Sequence, residues 1–331
     1  TNSSHPALTL ESRPQRLMLY DMDSLGGQFV PNQMIVEFTD DATQFERDTL
    51  LDYYQAKRLD SCMCGVIELW ELPDTSFLPE GDILIGLEET KQSASTKSKV
   101  EEVDNNYVLP LLDDNSKNNN KKAVKPTPAS SRRYGRGPAP KVAIIDVGVD
   151  YNHPEFSNLV WDNPEETLDG TDEDNNCLAD DIRGYDFAER DTDPADLING
   201  HGTHLAGIIT KDHSIGDLEI IPVKSHQDDG LGLLFEAVCG IYYARHQEAN
   251  IINLSWGYRG VASTVLENAI RRAGENCGSL FITSAGNDST NNDQFPHYPS
   301  SYELDNIISV AALDISESML SETSNYGIAS V

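Results

Sequence analysis

Two hydrophobic rhythms divide the chain, and the change between them falls near residue 139. Before it, strand-like runs at 33–38 and 65–72 surround a helical pattern over about 42–56. A polar helix is predicted over roughly 82–98, and a last strand over 100–109. The order βαββαβ suits a ferredoxin-like split unit spanning 28–110, with an unrelated N-terminal binding domain as the other reading. Residues 1–27 carry no assignment. After the change, short runs at 141–147, 218–225, 249–256, 279–285 and 307–313 are apolar on both faces and separated by helical stretches. That is the pattern of an α/β, doubly wound parallel sheet covered on both sides, with function expected at the carboxyl ends of its strands. Thr264-Val-Leu-Glu267 reads as a capping box, opening a helix whose buried stripe is Val265, Leu266, Ala269, Ile270 and Ala273.

Between these units, residues 111–138 turn to Asp, Asn, Ser, Lys, Pro and Gly, the composition of a flexible linker. Seven of the 24 basic residues lie between Lys117 and Arg136, and Arg132-Arg133-Tyr-Gly-Arg136 offers an easy cut to a trypsin- or furin-like enzyme, or stands uncut as a solvated segment. The 331 residues carry a net charge of −31, which disfavours nucleic acid and anionic membranes and favours cations. No apolar run approaches the roughly 20 residues that span a bilayer. The chain starts on Thr and stops at Val331 inside an apolar and turn pattern, so a fragment is expected. Of five cysteines, Cys62 and Cys64 stand too close to bond each other easily, and Cys239 is expected as a buried, inert thiol in a helix around 236–244.

Three segments carry chemistry. Lys141-Val-Ala-Ile-Ile-Asp146-Val-Gly148 delivers a carboxylate at a strand end, and Leu280-Phe-Ile-Thr-Ser-Ala-Gly-Asn287 delivers an amide in the same way. Between them lies Asn199-Gly-His-Gly-Thr-His-Leu-Ala-Gly207, whose His201 should open a helix packed closely through Gly202, Ala206 and Gly207. A nucleophilic hydroxyl needs an imidazole base, a carboxylate orienting that base, and donors for the oxyanion. With Tyr298-Pro299-Ser-Ser-Tyr302 and Ser324-Asn-Tyr-Gly327 beyond them, these segments resemble the subtilisin-like (subtilase) serine peptidases.

The resemblance implies that His201 is the general base, that Asp146 orients it and that Asn287 donates to the oxyanion. Relatives usually have Ser or Thr where Val147 stands. His204 is expected to pack or hydrogen-bond structurally. Leu254-Ser255-Trp256-Gly257 and Ser284-Ala285-Gly286 correspond to two walls of the pocket before the scissile bond, Gly230 and Gly232 lie on the edge strand that pairs with extended substrate, and Tyr298-Pro299 corresponds to a turn that often holds a cis bond. Residues 28–110 resemble the inhibitory propeptide, an intramolecular partner alongside peptide or protein substrates. The serine, expected in a Gly-Thr-Ser-Met-Ala context, is not among residues 1–331, so this stretch alone should be inactive while its full-length parent hydrolyses peptide bonds. Two rivals stand beside this reading: an inert pseudoprotease or peptide-binding module, and an intracellular acidic relative in place of a secreted or periplasmic one.

Fourteen Asp or Glu face two Arg between residues 161 and 196, a density that invites cations. Asp172, Asp174, Asn176, Asp180 and Asp181 place oxygens in the manner of a calcium loop. The segment resembles a Ca2+-binding insertion of some bacterial and protozoan subtilases, which often carry Gly where Asn175 and Cys177 stand.

Overall fold

The computed structural model describes residues 21–73, 99–111 and 138–331, apart from 24, 157, 212, 214–216, 315 and 317–318. The expected helix at 82–98 and nearly all of the linker fall outside these residues, as do residues 1–20. In the N-terminal unit, β1 (Asp21–Met22), β2 (Gln28–Phe38), α1 (Gln44–Tyr54), β3 (Lys57–Cys62), β4 (Ile67–Glu71) and β5 (Val100–Pro110) follow one another. The helix starts where the sequence can close both ends of its first turn: Thr43 and Glu46 form a reciprocal capping box. It stops at Gln55, which turns left-handed at φ 52°. The strands stand in the order β3-β4-β2-β5, all antiparallel, around Met34, Val36, Phe38, Leu51, Trp70 and Val103.

The second unit holds β6 (Lys141–Asp146), β7 (Tyr185–Asp186), α2 (His201–Thr210), β8 (Glu219–Lys224), β9 (Leu231–Leu233), α3 (Leu234–His246), β10 (Ile251–Leu254), α4 (Thr264–Cys277), β11 (Leu280–Ser284) and β12 (Ile307–Val310). Its parallel sheet runs β12-β11-β10-β6-β8-β7. The pleat of β6 sorts its side chains by parity. Ala143 and Ile145 join the core with α3 and α4, whereas Ile144 packs with Ala206 of α2 and with Phe156 and Ile220. Asp146 is two residues beyond Ile144 and so faces the side of α2. The last strand ends at Val310, earlier than expected, and as an edge strand it leaves Ile308 and Val310 about half exposed. No helix among the described residues is long and apolar enough to cross a membrane.

Two expectations change. The N-cap of α4 is Ser263, one residue before Thr264; its hydroxyl accepts from the Leu266 amide at 3.0 Å, and the five-residue buried stripe is as expected. Cys239 is no free thiol: it bonds Cys62, and Cys64 bonds Cys177. Both bridges join the two units. Cys62 and Cys64 flank one turn, so they cannot reach each other but present their sulfurs to different partners. Among the described residues Cys277 is free and exposed.

The units share backbone and side-chain contacts as well. β5 continues the small sheet onto β9, with Val108, Leu109 and Pro110 opposite Leu233, Gly232 and Leu231. Helices α3 and α4 present orphan amides at their N-termini, and β5 satisfies them: the Phe235 amide donates to Asn106 Oδ1 at 3.0 Å and the Val265 amide to Asp104 Oδ2 at 2.7 Å. Buried Glu37 accepts from Tyr242 and Asn268 and pairs with Arg272 at 2.9 Å. Desolvation pushes its carboxyl above the usual range against those three partners. Asp23, in the segment without an assignment, accepts from the Val261 amide at 2.7 Å and from the Tyr107 hydroxyl.

Candidate active site

Asp146 closes β6 fully buried, and His201 opens α2 beside it. The imidazole Nδ1 lies 2.8 and 3.0 Å from the two carboxylate oxygens. The Val147 amide also donates to Asp146 Oδ1 at 2.9 Å, so the carboxylate is held from two sides. Burial pushes the Asp146 carboxyl up, while the His201 contact works against this. An acceptor fixed on Nδ1 keeps the proton there and leaves Nε2 as the basic nitrogen.

Glycines permit this approach. A Cβ on Gly202 would sit 2.0 Å from the Gly148 carbonyl, and one on Gly148, at φ 94°, would sit 2.4 Å from the Pro194 carbonyl. Gly207, by contrast, has room for a side chain, so the close approach rests on Gly202 and not on Gly207. Asp196, missed in the sequence, anchors the helix start. Its oxygens accept from the Gly200 amide at 2.8 Å and the Thr203 hydroxyl at 2.9 Å, and Thr203 in turn accepts from the Asp150 amide. His204 is exposed, which sets aside packing, one of the two roles expected of it.

Asn287 follows the carboxyl end of β11 in a loop organised by two buried amides. Asn292 and Asn325 both donate to the Ala285 carbonyl, and Asn325 Oδ1 accepts from the Asp288 and Thr290 amides. Asn325 belongs to the Ser324-Asn-Tyr-Gly327 segment, so that segment acts by shaping the loop. Ser284 accepts from the Gly286 amide at 3.3 Å.

The sequence-predicted cleft residues Gly230, Gly232 and Trp256 meet around β5. The Leu111 amide donates to the Gly230 carbonyl at 2.9 Å, Leu109 lies opposite Gly232, and Leu111 bridges antiparallel to Trp256. The Trp256 indole itself turns into the core, where its Nε1 donates to the Ile145 carbonyl at 2.9 Å. Ser255 accepts from Asn253, and the Tyr298-Pro299 bond is cis. Two buried histidines that sequence reasoning did not single out lie under these glycines. His297 stands beside both Gly257 and Gly286, whose added Cβ atoms would come within 2.2 and 3.1 Å of its ring; His226 would be 2.7 Å from a Cβ on Gly232.

Burial holds His226 down to about 3 and His297 to about 4. The unfolded chain therefore takes up a proton below about pH 6.5 that native His226 refuses. Its stabilisation is complete above pH 6.5 and is lost as pH falls towards 3, at about 1.4 kcal/mol per pH unit. We expect His226→Gln to flatten unfolding stability between pH 4 and 6 by roughly that slope relative to the parent, measured by urea titration. Equal slopes would contradict this.

The acidic loop gathers a different set from the one expected. Glu166, Asp174 and Asp181 bring ligand oxygens within 4.8 Å of one another and could hold a metal ion. Asp181 is buried beside the Tyr243 hydroxyl, and burial with the nearby Asp174 and Glu166 charges pushes its carboxyl up to about 7 against that hydroxyl's opposing effect. An all-oxygen donor set suits a hard cation. Asn176 lies alongside, donating to Asp174 and Asp181. Asp172 and Asp180 turn elsewhere: Asp172 accepts from the Asn176 and Cys177 amides, and Asp180 from the Asp169 and Gly170 amides. Asn175 and Cys177 adopt φ of 61° and 70°, the conformation that glycine takes readily.

The doubly wound α/β sheet thus carries, at its carboxyl edge, a buried carboxylate hydrogen-bonded to a half-buried imidazole. The Subtilase family profile matches residues 137–330, more than half of the chain, and the chain belongs to that family. It is 36% identical over 195 residues to the thermophilic serine proteinase of Bacillus sp. (strain AK1), covering 56% of this chain and 41% of that protein. With thermitase of Thermoactinomyces vulgaris it shares 32% over 219 residues, covering 60% and 68%. The chain thus spans under half of the Bacillus relative. The crystal structure of fervidolysin from Fervidobacterium pennivorans, described as a keratinolytic enzyme related to subtilisin, superposes with a TM-score of 0.55 at 20% identity, over 86% of this chain and 44% of that one. At that identity the likeness is one of fold.

Proposed function

We propose that the full-length protein is a serine endopeptidase made as a zymogen, with its nucleophilic serine in a segment following residue 331. The observation that carries this reading is the doubly contacted Asp146–His201 pair at the strand ends. In this mechanism His201 Nε2 takes the serine proton as the hydroxyl attacks the peptide carbonyl, then returns it to the leaving amine. Asp146 holds the imidazole and offsets its charge, and the Asn287 amide donates to the oxyanion. Substrate would lie extended against Gly230–Gly232, between walls formed by Ser255–Gly257 and Ser284–Gly286.

Residues 28–110 are read as a ferredoxin-like inhibitory propeptide. Strand order β3-β4-β2-β5 supports this, as do the capping of α3 and α4 by Asn106 and Asp104 and the place of 108–111 along the substrate edge. Calcium is the ion proposed for Glu166, Asp174 and Asp181, with Asn176 beside them. Two disulfides support a secreted or periplasmic location.

Asn287→Ala in the full-length, processed protein tests the assignment. We expect kcat on casein-derived peptides to fall about 10²–10³-fold with KM little changed, a magnitude set by removal of an oxyanion donor in subtilisin, itself of this family. An unchanged kcat would remove Asn287 from the mechanism, and no hydrolysis by the parent protein would favour the peptide-binding reading.

A further inference from the structure

The contacts between the two units are of two kinds. Strand pairing, helix caps and the Glu37 cluster are reversible, and in a zymogen they would be the whole attachment once the linker is cut. Here the turn after β3 adds two covalent joins. Cys62, at the end of β3, bonds Cys239 in the middle of α3, and Cys64 bonds Cys177 in the acidic loop. The bridged residues are separated by 177 and 113 positions, and in each pair the linker lies between the partners.

We propose that the N-terminal unit is a covalently retained subunit, which a cut in the linker does not release, and that its two bridges form an outer and an inner lock. Access distinguishes them. Cys64 and Cys177 are both exposed, whereas Cys62 is 7% and Cys239 0% exposed, covered by the packed face of α3. A thiolate must reach a sulfur to exchange with it. A small dithiol therefore opens Cys64–Cys177 first and reaches Cys62–Cys239 only when the units part locally. In each opening the dithiol gives up two electrons and two protons, two cysteine thiols form, and the reagent leaves as its own cyclic disulfide.

One consequence concerns the cleft. After a cut in the linker, the strand 108–111 stays tethered beside β9 at a high effective concentration and can rebind intramolecularly. Where that strand inhibits, as proposed above, cutting alone leaves the site covered, and release needs reduction or a second cut within the N-terminal unit. Covalent retention itself does not depend on the inhibitory role, and a gel reads it without any activity.

The test uses the chain with Cys277→Ser, which removes the free thiol. Limited trypsin treatment cuts the linker, and the products are run in denaturant with and without reductant. The expected result is one species near full mass without reductant and two fragments with it. Non-reducing peptide mapping should show the Cys62–Cys64 peptide joined to those of Cys177 and Cys239. Fragments that separate without reductant would overturn retention. Graded dithiothreitol followed by alkylation should label Cys64 and Cys177 first. Labelling of Cys62 and Cys239 at equal or earlier times would overturn the order of the locks. The readout for the inhibitory reading is separate: hydrolysis by the cut full-length protein before and after reduction.

Discussion

Asp146→Asn in the full-length protein should lower kcat for peptide hydrolysis by about 10⁴-fold while leaving KM nearly unchanged, the scale of this substitution in a serine-protease triad. The two side chains have the same shape, so the effect isolates a proton. As built, Asp146 accepts at 2.8 and 3.0 Å from His201 Nδ1, which keeps the free lone pair on Nε2. An asparagine can turn its NH₂ towards Nδ1, and the ring proton then moves to Nε2, where it can no longer accept one from serine. Folding should survive, because Asp146 is completely buried and a neutral amide removes a desolvated charge. Steady-state kinetics together with a thermal melt would check both halves. A loss below tenfold would show that Asp146 does not orient the base.

The second large effect concerns the acidic loop. An ion that binds only the native state adds about 4 kcal/mol when its free concentration is a thousandfold above Kd. Thermal melts in calcium and in EDTA should therefore differ widely for the parent protein and coincide for an Asp174→Asn/Asp181→Asn variant. In EDTA the variant should be no less stable than the parent, because Glu166, Asp174 and Asp181 repel one another without a cation. Asp172→Asn should keep most of the calcium response, since that carboxylate caps backbone amides instead of joining the cluster. A variant that retains the full response would place the ion elsewhere. A smaller ion that holds its waters tightly, such as Mg2+, should substitute poorly.

What the sequence made legible was local chemistry on regular elements. Period and spacing located the five parallel strands of 141–313, and the Asp146 and His201 positions followed from a strand end and a helix start. The cleft residues Gly230, Gly232 and Trp256 were named by resemblance; in the structure Leu111 lies against the backbones of Gly230 and Trp256, and Leu109 opposite Gly232. What escaped were partners brought together over long separations. Cys239 looked like an inert core thiol because nothing in its helix marks a partner 177 positions away. Glu166 stood outside the alternating oxygens of 172–181, yet the chain folds back so that it accepts from the Glu173, Asp174 and Asp180 amides. The α4 cap slipped by one residue because Ser263 and Thr264 are both competent caps. Asp104 selects between them from the other unit, accepting from the Ser263 hydroxyl and the Val265 amide. His226 and His297 act by filling space under glycines, a role that no catalytic pattern announces.

The most direct test of the central claim is fluorophosphonate labelling of the full-length, processed protein, beside the same protein carrying His201→Ala. A serine made nucleophilic by His201 predicts one labelled serine in the parent, beyond residue 331, and a labelling rate lowered by several orders of magnitude in the variant. Equal labelling of both proteins, or none in a parent whose linker has been cut and whose bridges have been reduced, would contradict the account.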